Sequence, residues 1–122
     1  MAFSLYGNPE LQNLTNITLG SGVRTIGANA FSGSAITEIT IPEGVTYLDY
    51  GIFGSCSNLT TVNLPSTITK VEVAAFSSTN ALANINFNGT QEQWNAIELG
   101  GGWNDNSGNY TIHCTDGDIA KA

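Results

Sequence analysis

The chain has 122 residues and is 41% hydrophobic, enough for one domain with a real core and too apolar for a disordered segment. Charged residues make up only 11%, against an ordinary share of roughly 25%, so the polar surface must be built from Asn, Thr, Ser and Gly. The net charge of −7, with three Lys+Arg against ten Asp+Glu, removes the basic footprint that phosphate binding needs. Nucleic acid is therefore excluded as an expected partner, and anionic membrane surfaces are disfavoured.

No apolar run approaches the roughly 20 residues that span a bilayer. The start, Met1 to Gly7, has neither a charged n-region nor a long h-region, so it does not read as a signal peptide. The chain reads as cytosolic, or as a mature or excised piece of something larger.

Residues 1–13 form the first stretch. Ala2-Phe3-Ser4 matches Ala30-Phe31-Ser32 and Ala75-Phe76-Ser77 further on. It reads as the tail of a partial N-terminal repeat, followed by an insertion that contains Pro9. On that reading the chain is a fragment of a longer array whose first strand offers an unpaired edge, open to edge-to-edge self-association. The alternative is a natural cap.

Residues 14–99 repeat. Leu14-Thr-Asn-Ile17-Thr-Leu19, Ile36-Thr-Glu-Ile39-Thr-Ile41, Leu59-Thr-Thr-Val62-Asn-Leu64 and Leu82-Ala-Asn-Ile85-Asn-Phe87 share one apolar pattern, with starts stepping by 22, 23 and 23. Val23, Val45 and Ile68 hold a second phase. Ile26, Leu48 and Val71 hold a third, and Phe31, Phe53 and Phe76 close each unit. The end of each apolar pattern alternates as a half-buried strand does, and Gly20, Pro42, Pro65 and Asn88-Gly89 turn the chain off it. A unit of this size cannot bury its own apolar side. Stacked units bury one another's, with equivalent strands about 4.8 Å apart.

The fourth unit changes. Thr90 followed by Gln93 has capping-box spacing. Trp94 falls at the phase of Val71, so it should enter the core. Ile97 and Glu98 should continue a short helix that Gly100-Gly101-Gly102 ends. Residues 100–122 then form a C-terminal capping segment with the last strand.

The pattern of residues 36–59, with Ile39, Ile41, Pro42, Val45, Leu48, Phe53, Cys56 and Leu59, resembles the BspA-like leucine-rich repeats of bacterial surface proteins. Ser34 and Thr79 stand where that pattern often has Cys. The resemblance implies an α/β repeat solenoid: a right-handed leucine-rich repeat coil with a parallel sheet of about five short strands and loop or short-helix returns. It also implies a location outside the cell or on its surface, as part of a longer exported protein.

The stretch Thr111-Ile-His113-Cys114-Thr-Asp116-Gly-Asp118-Ile119 concentrates reactive groups. Strand alternation sends Cys114 inward beside Leu19, Ile41 and Leu64, and His113 outward beside Asn86. Metal binding needs convergent side chains, so this pair makes a poor site. Asp116-Gly117-Asp118 lacks the length and glycine placement of an EF-hand loop and reads as a turn leaving the sheet. Asn104 to Asn109 reads as a long polar turn. Two rungs separate Cys56 from Cys114, too far for a disulfide.

No nucleophile accompanies the lone histidine, and there is no P-loop, dinucleotide fingerprint or C-x-x-C. No catalytic residue, metal or cofactor is expected, and the chain does not read as an enzyme. Five Asn-x-Thr sequons, at Asn13, Asn16, Asn58, Asn88 and Asn109, arise from the composition.

The outward strand positions form two columns: Asn16, Glu38, Thr61, Asn84 and Thr111, and Thr18, Thr40, Asn63, Asn86 and His113. They make a neutral concave face of the kind that repeat arrays use for partners. The partner would be a host or neighbouring-cell protein, or a glycan. The simpler reading is a wet sheet face with Thr chosen for strand propensity, in a passive spacer of a surface protein. A third reading is carbohydrate stacking on Tyr47, Tyr50 or Trp103.

Overall fold

The computed structural model describes residues 3–121. Ala2, part of the N-terminal match, and Ala122 lie outside them. The chain winds as a solenoid with three sides. One side is a five-stranded sheet of β1 (Glu38–Thr40), β3 (Thr61–Leu64), β5 (Asn84–Phe87), β7 (Thr111–Cys114) and β8 (Gly117–Ala120), in that spatial order. The second is a narrow sheet of β2 (Tyr47–Leu48), β4 (Lys70–Val71) and β6 (Glu98–Leu99). Turns form the third, and neighbouring turns are tied by backbone bonds such as Phe31 N–H to Ile52 O at 3.0 Å and Phe53 N–H to Ala75 O at 2.9 Å. A five-residue helix α1 (Gln91–Asn95) and a short 3-10 helix (Leu11–Asn13) complete the elements.

The repeat columns become rungs. Ile39 pairs with Val62, Val62 with Ile85 and Ile85 with Ile112, all in parallel. All four side chains are buried. Behind them runs an aromatic spine in which Phe3, Phe31, Phe53, Phe76 and Trp103 follow with ring centroids 5.8, 5.8, 5.2 and 5.8 Å apart. Each unit covers the rings of the next, which is how so short a repeat obtains a core. Ser34, Cys56 and Thr79 occupy one buried column. Cys56 Sγ donates to Phe31 O at 3.0 Å, and Thr79 Oγ1 donates to Phe76 O at 2.7 Å. That position calls for a small donor, which explains why serine and threonine stand in for cysteine.

Several expectations are corrected. The first rung, Leu14 to Leu19, forms no strand; Ala35 N–H to Leu14 O ties it to its neighbour, and Ile17 and Leu19 are only half-buried. Among the described residues it has a neighbouring rung on one side only, which leaves its apolar groups half-covered. Phe3 does not take the backbone place of Phe31. It bridges Ile26, and Gly27 N–H bonds to Phe3 O as Glu72 N–H bonds to Leu48 O. Leu5, whose N–H bonds to Ala30 O at 3.1 Å, holds the place of Phe31, although the Phe3 ring still joins the spine.

The fourth unit is longer than its spacing suggests. The capping box forms, with Thr90 accepting from Gln93 N–H and the Gln93 side chain accepting from Thr90 N–H. The helix stops at Asn95, however, and Glu98 belongs to β6, where Leu99 rather than Trp94 pairs with Val71. Trp94 reaches the core from α1, edge-on to Phe87 at 5.5 Å. The same lengthening shows in the corners. Asn29, Gly51, Ala74 and Gly102 share a left-handed φ of 57–65°, and Gly33, Ser55, Ser78 and Asn106 form a second such column at 58–77°. Both columns step by two repeats of ordinary length and then one longer one.

The Asp116-Gly117-Asp118 segment does not leave the sheet. Thr115 and Asp116 form a two-residue turn, and the chain returns as antiparallel β8, pairing Cys114 with Gly117 and His113 with Asp118. The hairpin gives β7 a partner on its outer side. Gln91 ties it to α1, its backbone N–H donating to Asp116 Oδ1 at 2.8 Å and its Nε2 to Asp118 O at 3.1 Å.

Candidate partner-binding face

The open side of the larger sheet carries both expected columns in register. Glu38, Thr61, Asn84 and Thr111 are neighbours on one row, and Thr40, Asn63, Asn86 and His113 on the other. Asn16 and Thr18 lie beyond β1 on the unpaired first rung, exposed, and line a depression of about 360 Å³ together with Glu38 and Thr40.

The side chains form a hydrogen-bonded ladder. Asn63 Nδ2 donates to Glu38 Oε2 and to Thr40 Oγ1, both at 3.0 Å, and Asn86 Nδ2 donates to Asn63 Oδ1 at 2.8 Å. His113 sits between two acceptors, Asp118 Oδ1 at 3.0 Å from Nδ1 and Asn84 Oδ1 at 2.9 Å from Nε2. An imidazolium donates to both, a neutral ring to one. Asp118 is the residue that sequence reasoning missed here. The Thr-Asp-Gly turn signal was present, since Asp-Gly between alternating segments marks a hairpin.

At the carboxyl ends of β1, β3 and β5 the face deepens into an open groove of about 390 Å³, lined by Thr40, Asn63, Asn86 and Asn88 with Pro42, Pro65 and Glu43. Of the three aromatics considered for sugar stacking, Trp103 is buried in the core between Phe76, Trp94 and Tyr110. Its packing corrects that expectation. Tyr47 is half-buried on β2, and Tyr50 is exposed.

The cysteines are both free. Cys114 is half-buried against the core rather than fully inside it, because β7 ends there and Gly117 opposite has no side chain to cover it. Its thiol pKa is raised, first by burial and then by the charges of Asp116 and Asp118. Burial raises Cys56 as well, with the hydrogen bond from Ser34 working against it. Thiolates are the reactive form. We therefore expect Cys114 to alkylate more slowly at pH 7.5 than a cysteine in a free peptide, and Cys56 to alkylate only when the chain unfolds. Mass spectrometry of iodoacetamide time courses measures both, and rapid labelling of either thiol in the folded chain would contradict it. Among the described residues no three His, Cys, Asp or Glu side chains converge as a metal site.

A family model described as a BspA-type leucine-rich repeat region of six copies matches residues 9–97, well over half of the chain. The chain belongs to the BspA-type leucine-rich repeat family. Searches of curated proteins and of solved structures return no match. The membership accords with the solenoid and the parallel rungs, and it makes the protein a repeat module. Among the described residues no helix is long and apolar enough to cross a membrane.

Proposed function

We propose that this BspA-type repeat segment is a non-catalytic binding module of a cell-surface or secreted protein, and that it holds a partner protein on the open face of its larger sheet. The ladder of Glu38, Asn63, Thr40 and Asn86 supports this most directly. Its side chains are fixed by one another before any partner arrives. A partner therefore meets oriented donors and acceptors and loses less conformational entropy on binding. Asn16, Thr18, Thr61, Asn84, Thr111 and His113 extend the same face. The parallel rungs beneath hold it rigid, which suits an adhesion surface better than a loop would.

The test is an Asn63→Ala, Asn86→Ala double variant, compared with the parent chain against a panel of host matrix proteins and glycans. Both residues are on the outer face, so the fold should survive, as circular dichroism would show. We expect a protein partner to be captured by the parent and to bind at least about tenfold more weakly to the variant, in line with loss of a central polar cluster. Undiminished binding would overturn the assignment to this face. Capture of nothing on the panel would favour a passive spacer. Glycan binding that survives the substitutions would move recognition to Tyr47 and Tyr50.

A further inference from the structure

We propose that the groove at the carboxyl ends of β1, β3 and β5 takes an arginine side chain of the partner; this rests on the protein-binding reading above and names the chemistry of the site. Two carboxylates, Glu38 and Glu43, orient the amides around the groove. A carboxylate only accepts hydrogen bonds, so Glu38 forces Asn63 to turn its amide nitrogen toward it. The Asn63 oxygen must then face Asn86, which answers with its own nitrogen. Glu43 imposes the same orientation on Asn88, whose Nδ2 lies 3.5 Å from Glu43 Oε1 although 45 residues separate them.

Asn63 thus spends both N–H donors and one lone pair of its oxygen within the ladder, while Asn86 and Asn88 each spend one N–H and keep the oxygen open. Unused capacity among the groove residues is weighted to acceptors: the Asn86 and Asn88 oxygens, the second lone pair of the Asn63 oxygen, and most of the Glu43 carboxylate. The fitting ligand is rich in donors. Charge selects among such ligands. The chain has three Lys+Arg, and of these only Arg24 reaches the groove lining, at the backbone of Glu43 rather than at its carboxylate. Arg24 donates to the carbonyls of Ser21, Val23 and Glu43, Lys70 pairs with Glu72 and Glu98, and Lys121 donates to the carbonyls of Ser107 and Gly108. Among the described residues no ion pair involves Glu38 or Glu43. A guanidinium has five donors in a planar fork and no acceptor, and its stem can lie on Pro42 and Pro65.

The experiment titrates the isotope-labelled full chain, followed by amide NMR, with acetyl-Gly-Arg-Gly-amide. The neutral citrulline counterpart, the same shape without the charge, is the control. We expect saturable shifts confined to residues 40, 41, 43, 63, 64 and 86–88, half complete at about 1–10 mM, the affinity of a single anchoring group. Citrulline, or Glu43→Gln with arginine, should weaken binding roughly fivefold or more, and added salt should do the same. Absence of saturable shifts in this region, equal binding of the citrulline peptide, or equal shifts with methyl glucoside would overturn the proposal. The two readings fail separately. A protein partner lost on the Asn63, Asn86 double variant but indifferent to Glu43→Gln keeps the face and refutes the arginine. Arginine binding in the groove, with every partner indifferent to the double variant, keeps the groove and refutes the face.

Discussion

Replacing Phe53 with alanine should lower stability by about 3–5 kcal/mol, a large part of the roughly 5–15 kcal/mol that holds a domain of this kind together. Phe53 is wholly buried at the middle of the spine, with ring centroids 5.8 Å from Phe31 and 5.2 Å from Phe76. Its loss removes two aromatic contacts and leaves a cavity that backbone bonds on either side prevent from closing. In a stacked array each unit is stabilised by its neighbours, so a gap in the middle also weakens the coupling between the two ends. Urea unfolding followed by circular dichroism and by tryptophan fluorescence measures both effects. Trp94 and Trp103 lie in the last unit, so fluorescence reports that end while circular dichroism averages the chain. The alanine variant should show a lower midpoint and separated transitions. Phe53→Leu, closer in volume, should cost less than half as much. A loss under about 1 kcal/mol for the alanine variant would show that the spine is not what holds the rungs together.

Gly108→Ala is the second large effect, and its cause is contact rather than dihedral preference. A methyl group there would collide with Leu82 O and stand 2.8 Å from Asn80 O and 2.8 Å from Leu82 N, all of them backbone atoms of the preceding unit. No side chain can rotate away to make room. The turn leading into β7 must move off the turn leading into β5, which stretches the bond from Gly108 N–H to Thr79 O, now 2.8 Å. Overpacking of this kind costs typically 1–3 kcal/mol, and rigid backbone on the far side places this position at the upper end. Gly101→Ala is the control: nothing lies within 4 Å of its added methyl group, so it should stay within about 0.5 kcal/mol of the parent. Thermal or urea unfolding of the two variants compares them directly. Equal stability of Gly108→Ala and Gly101→Ala would show that the units are not packed so closely at that corner.

The partition between sequence and tertiary structure follows from what each kind of pattern encodes. Apolar periodicity records which side of the chain is buried. The columns of Ile39, Val62 and Ile85, the phenylalanine spine and the two outward polar rows were therefore legible without coordinates. The capping box at Thr90 and Gln93 was legible too, because it depends on residues three apart. Register after a change of length is another matter. The pattern put Trp94 at the Val71 phase because both are apolar and 23 residues apart. Only the competition of backbone groups for partners decided that α1 is an insertion and that Leu99 pairs with Val71.

The same competition decided the N-terminal end, where Phe3 lends its ring to the spine while Leu5 holds the backbone position. It also returned the chain through β8, bringing Asp118 to His113. On the candidate face, the sequence determined the composition of the rows, asparagine and threonine with two nearby glutamates. The fold alone determined their polarity, because a carboxylate sets the direction of an amide only when it lies within hydrogen-bonding reach, and Glu38 and Asn63 are 25 residues apart along the chain.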